Sequence, residues 1–66
     1  MNPKIVGSKL AELRGDLPQD IVANSVGISR SALSMYEQGN RIPRDEIKVK
    51  LARFYKTTVQ DIFFAD

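Results

Sequence analysis

Two stretches that both read as amphipathic helix are joined by only three residues, Gly27-Ile28-Ser29, and no other feature restricts the fold of this chain as strongly. The upstream stretch, over about Pro18 to Val26, carries Val22, Ala23 and Val26 at helical spacing; the downstream one, running to about Gln38, carries Leu33 and Tyr36. Three residues are too few for the second helix to fold back alongside the first, so the pair must cross steeply. The junction suits that geometry. Gly27 can take the left-handed conformation that ends a helix, where a residue with a Cβ loses about 1 kcal/mol. Ser29 can accept from the free N–H groups of the next helix. Ala23 is expected at the crossing, where a larger side chain would push the two helices apart.

The rest of the chain reads as helix in the same way. Asn2-Pro3 is a capping residue followed by a proline whose missing N–H is not needed at the first helical position. The helix it opens carries Val6, Leu10 and Leu13 as its apolar stripe and ends near Arg14, before Gly15-Asp16. Asp16 is placed to cap the second helix, with Gln19 reaching back to it from the third position. Gly39-Asn40 stops the third helix, and residues 39–43 form a turn. A fourth helix is predicted from about Asp45 to Tyr55, with Ile47, Leu51, Phe54 and Tyr55 on one face and Lys48 lying its stem over the core. Thr58-Val59-Gln60-Asp61 fits a capping box opening a short fifth helix through about Phe63. The expectation is an all-α fold of five short helices, one domain over residues 1–66, with the second and third as a helix-turn-helix.

Composition removes several function classes. With 66 residues there is room for one core. Cysteine and histidine are both absent, which takes away the soft metal ligands, the thiol nucleophile and the side chain that titrates near neutrality. No metal, no cofactor and no enzyme activity are expected; the adjacent carboxylates Asp45 and Glu46 sit where they favour a helix dipole more readily than acid–base work. No apolar run approaches the roughly 20 residues that span a bilayer, and the N-terminus lacks the order of a signal peptide, so a soluble, cytoplasmic protein without membrane partners is expected. Net charge is only +2, but residues 30–56 hold seven bases (Arg30, Arg41, Arg44, Lys48, Lys50, Arg53, Lys56) against Glu37, Asp45 and Glu46. A solvated helix surface and a polyanion-binding surface both fit that excess.

The stretch from Leu17 to Pro43, LPQDIVANSVGISRSALSMYEQGNRIP, closely resembles the helix-turn-helix of the phage repressor and Cro family, also called the xenobiotic-response-element family. The resemblance rests on Gln19, Ala23, Gly27, Leu33, Glu37-x-Gly39 and Pro43, and it extends from about Val6 to Phe63. It implies a lambda-repressor-like fold and a prokaryotic or phage transcriptional regulator, a repressor by preference, that binds double-stranded DNA with the third helix in the major groove. Leu33 and Tyr36 would then face inward, leaving Arg30, Ser31, Ser34 and Met35 to meet base edges. Arg30 can donate twice to guanine; Ser31 and Ser34 favour no single base; Met35 can meet a thymine methyl or fill a gap in the core. A solvated arginine and ordinary polar surface are the plainer alternatives. Gln19, Ser29, Asn40, Arg41 and Arg44 are the expected phosphate ligands, with Gln19 also a cap partner.

The resemblance also implies that Glu37, out of place on a polyanion-binding helix, pairs with Arg14 late in helix 1. A pseudo-palindromic site read one turn of DNA apart calls for a homodimer. Phe63 and Phe64 are the candidate interface, because two adjacent phenylalanines on a short helix cannot both enter one core. The alternative function is an antitoxin whose main partner is a protein and whose DNA binding is autoregulatory. It is disfavoured because only Ala65 and Asp66 follow Phe64.

Overall fold

The computed structural model describes residues 1–65. Four α-helices, α1 (Pro3–Arg14), α2 (Gln19–Val26), α3 (Arg30–Glu37) and α4 (Asp45–Phe54), precede a single turn of π-helix, Gln60–Phe64. No strand forms among the described residues. This is the all-helical, lambda-repressor-like arrangement, with α2 and α3 as the crossing pair.

Local chemistry explains most of the boundaries. Asn2 Oδ1 accepts from the backbone N–H groups of Lys4 (2.9 Å) and Ile5 (3.2 Å), and Pro3 fills the first helical position. Gly27 ends α2 at φ 80°, ψ 34°, and the N–H groups of Gly27 and Ile28 both return to Ala23 O, at 2.9 and 3.0 Å. A Cβ at Gly27 would meet nothing within 4 Å, so the backbone angle, not space, requires glycine there. Ser29 Oγ accepts from Ala32 N at 3.0 Å and opens α3.

Three expectations need correction. Pro18, extended at φ −61° and ψ 144°, is itself the residue before α2 and gives no side-chain cap. Asp16 therefore lies two residues outside the helix and Gln19 is its first residue, which dissolves the predicted capping box. Leu13 is 40% exposed rather than core. The buried face of α1 is centred on Val6, Gly7 and Leu10, and the next position at that spacing is Arg14, which turns Leu13 to the rim of a cleft it shares with Thr57 and Ile62. The fifth helix is not α-helical. Thr58 Oγ1 does accept from Asp61 N at 3.0 Å, but the turn beyond it widens into π geometry. More residues per turn mean a smaller angle between neighbours, which suits a segment that buries the consecutive residues Ile62 and Phe63.

The core is one cluster with every element contributing: Val6 and Leu10, then Val22, Ala23 and Val26, then Leu33 and Tyr36, then Ile47, Leu51 and Ala52, then Ile62 and Phe63. Lys48 is buried on α4, with its Nζ 3.2 Å from Asp45 Oδ1 and 5.8 Å from the centre of the Phe63 ring. At Gly7, α1 lies close against the end of α3. A Cβ on Gly7 would come within 2.5 Å of Glu37 O and 2.7 Å of Tyr36 O. Lys4 Nζ seals the same end by donating to Gln38 O at 3.0 Å. Among the described residues no helix is long and apolar enough to cross a membrane, and no group of side chains could hold a metal ion.

Candidate nucleic-acid interface

The helix α3 has two unlike faces. Leu33 and Tyr36, three residues apart, are buried and fix its rotation. That rotation turns Arg30, Ser31 and Met35 outward, with Ser34 half-buried at the margin. The Arg30 side chain is 70% exposed, and its Nη1 lies 3.6 Å from Asp20 Oδ1, a carboxylate as exposed as itself. Exposed pairs of this kind contribute at most about 1 kcal/mol, so Asp20 aims the guanidinium without confining it. Ser34 Oγ accepts from Gln38 Nε2 at 2.8 Å, and Gln38 Oε1 accepts from Asn40 Nδ2 at 3.1 Å. This chain of polar groups runs from the face of α3 into the loop that follows it.

Polar side chains flank α3 on both sides. On one side Gln19, at the start of α2, shares a cleft with Arg14, Pro18, Asp20 and Arg30. On the other, Ser29, Tyr36, Arg41 and Arg44 border a groove of about 420 Å³ between α3 and the start of α4. Arg41 is exposed; Arg44 precedes the first turn of α4, with its Nη2 3.2 Å from Glu46 Oε1 in a solvent-exposed pair. Ser29 Oγ is already occupied in capping α3.

Beneath the surface, Glu37 collects three donors. Arg14 Nε reaches Oε2 at 2.8 Å and Arg14 Nη2 reaches Oε1 at 3.0 Å, a two-pronged pair, while Gln19 Nε2 donates to Oε1 at 3.0 Å. Arg14 Nη1 also donates to Leu17 O at 2.7 Å. The hydrogen bonds to Glu37 raise the Arg14 pKa against a partial desolvation that lowers it, so the guanidinium stays charged. Tyr55 stands close by, its buried hydroxyl without a hydrogen-bond partner among the described residues. Burial, reinforced by the Glu37 charge and opposed by Arg14, pushes that phenol up to about 12. Glu37 thus points into the protein and locks α1, α2 and α3 together, and the acidic group is withdrawn from the α3 surface.

At the C-terminus the two phenylalanines part company. Phe63 is fully buried in its own core, whereas Phe64 is 49% exposed.

Sequence reasoning did not single out several residues that shape this site. Gly7 was legible in principle, since glycine within a helix costs about 1 kcal/mol against alanine and so signals a packing reason. Gln38 and Asp20 gave no such signal, because a glutamine or aspartate at a helix surface is ordinary.

A short α2–α3 connection, a second helix held outermost and an internal carboxylate binding the pair to α1 define a helix-turn-helix module. Residues 10–62 match the helix-turn-helix family model, and the chain belongs to that family, in its phage repressor and Cro branch. It is 37% identical over 57 residues to the cryptic phage CTXphi transcriptional repressor RstR of Vibrio cholerae. That match covers 83% of this chain and 51% of the repressor, so the chain spans about half the length of its curated relative.

Proposed function

We propose that this protein binds double-stranded DNA sequence-specifically as a transcriptional regulator, a repressor, with α3 in the major groove. The observation that carries the reading is the rotation of α3: Leu33 and Tyr36 are anchored inside while Arg30, Ser31 and Met35 stand in solvent. The similarity to a phage transcriptional repressor supports it. Arg30 reads a guanine through its planar fork, Ser34 and Ser31 adapt to neighbouring bases, and Met35 covers a thymine methyl or a sugar. Gln19, Asn40, Arg41 and Arg44 hold the phosphates on either side, and Ser29 sets the α3 N-terminus against the strand.

The test is selection of binding sites from random duplexes with wild type and Arg30→Ala. The variant should lose preference at one base pair per half-site, a discrimination of about 1–3 kcal/mol, while keeping the rest of its consensus. An identical consensus from both proteins would remove Arg30 from the reading head. Arg44→Ala should instead weaken all sites alike and make the slope of log affinity against log salt shallower by about 1. An unaltered slope would mean that Arg44 meets no phosphate.

A single domain of this size contacts about one half-site, which favours two-fold assembly on a pseudo-palindrome. Phe64 is the residue we place at the dimer contact. Phe64→Glu should shift the protein to monomers in sedimentation; dimers that persist would locate the contact elsewhere.

A further inference from the structure

The chain has ten basic residues, and six of them are engaged within the described structure: Lys4, Lys9, Arg14, Arg30, Arg44 and Lys48. The four without a partner among the described residues are Arg41, Lys50, Arg53 and Lys56. Arg41 belongs to the loop beside α3. Lys50 and Arg53 do not: they line a separate groove of about 520 Å³ together with Phe54 and the end of α2, Asn24 to Gly27. Among the described residues no carboxylate lines it.

We infer that this groove docks an acidic, partly apolar segment of a second protein, with carboxylates on Lys50 and Arg53 and an apolar side chain against Phe54. Charge complementarity identifies the occupant. Two unpaired cations one helical turn apart repel each other, and an anionic segment relieves that repulsion. Phe54 decides between a peptide and a nucleic-acid backbone. It is a half-buried ring at the edge of the groove, and a phosphodiester chain has no apolar side chain to cover it, whereas an acidic peptide with an interspersed leucine or phenylalanine does. At the α2 end, the exposed side chains of Asn24 and Ser25 supply hydrogen-bonding groups for a peptide backbone.

The groove is also set apart from the DNA-facing surface. At about 1.5 Å per residue, Lys50 and Arg53 lie roughly 9–14 Å along α4 from Arg44. Among the described residues only Gly27 borders both this groove and the one beside α3. A partner held there leaves Arg30, Ser31 and Met35 uncovered.

Fluorescence anisotropy with the full chain and a labelled synthetic peptide of alternating Glu and Leu tests the inference. The Lys50→Glu/Arg53→Glu protein should bind this peptide about tenfold more weakly or worse, as expected for loss of two exposed charge pairs and their replacement by repulsion. Peptides of alternating Gln and Leu, or Glu and Ser, should bind wild type several-fold more weakly. Both substituted positions are exposed, so the melting temperature should hold and a loss of binding will not reflect unfolding. The same variant should bind a duplex selected by wild type with unchanged affinity and salt slope. Equal peptide binding by the two proteins, no peptide binding by wild type, or indifference to peptide charge would each overturn the proposal. A salt slope for the duplex reduced by about 2 in the variant would overturn it in favour of DNA phosphates at Lys50 and Arg53. None of these results depends on whether Arg30 reads a base.

Discussion

Gly7→Ala should lower the stability of the domain by about 2–3 kcal/mol, although alanine is the better helix former by about 1 kcal/mol. The reason lies in what the added methyl meets. A Cβ on residue 7 falls 2.5 Å from Glu37 O, 2.7 Å from Tyr36 O and 2.9 Å from Glu37 C. All three are backbone atoms at the end of α3, so no rotamer change relieves the clash and the two helices must separate. Separation also strains Lys4 on Gln38 O and Arg14 on Glu37, since both donors belong to α1. For a domain of this size the melting temperature should fall by about 10 °C or more. Ser8→Ala, at the exposed neighbouring position, is the control and should change little. A Gly7→Ala protein that melts with wild type would show that the α1–α3 contact is looser than described.

Arg14→Met should have a comparable effect by a different route. Glu37 is nearly covered, its side chain 7% exposed against 21% for Arg14. Removing the arginine leaves a carboxylate out of water with Gln19 Nε2 as its remaining side-chain donor. Breaking one partner out of a buried pair typically costs about 3 kcal/mol or more, whereas replacing both by apolar groups is often close to neutral. The urea midpoint should therefore drop strongly in Arg14→Met and recover substantially in Arg14→Met/Glu37→Leu. Equal losses in the single and double variants would mean that the arginine's packing and its bond to Leu17 O matter more than the buried charge.

Much of this architecture was legible because it depends on short-range rules. The glycine at position 27, the hydroxyl at 29 and the three-residue connection determine the α2–α3 crossing before any tertiary contact is considered. The inward pair Leu33 and Tyr36 then fixes which side of α3 faces water. What escaped the sequence depends on long-range partners. Whether Pro18 stands before or inside α2 turns on one ψ angle, and Gln19 is drawn away from a local cap by a glutamate 18 positions later. Leu13 and Arg14 both satisfy a helical stripe, and only the position of Glu37 decides that the arginine faces inward. The π geometry near the end reflects the demand of one core for both Ile62 and Phe63, which no local propensity records.

The bonds made by the first helix have a bearing on how the chain is made. Lys4 and Lys9 reach acceptors 34, 52 and 56 positions further on, at Gln38 O, Asp61 O and Ala65 O. During synthesis this segment emerges ahead of these acceptors and meets the last of them only when translation has passed residue 65. Until then Val6 and Leu10 lack the Ile62 and Phe63 of the same core cluster, and nascent chains stopped short of that point should be open to proteases at α1. Completion of this fold is thus gated by the codons of residues 61–65 rather than proceeding piece by piece.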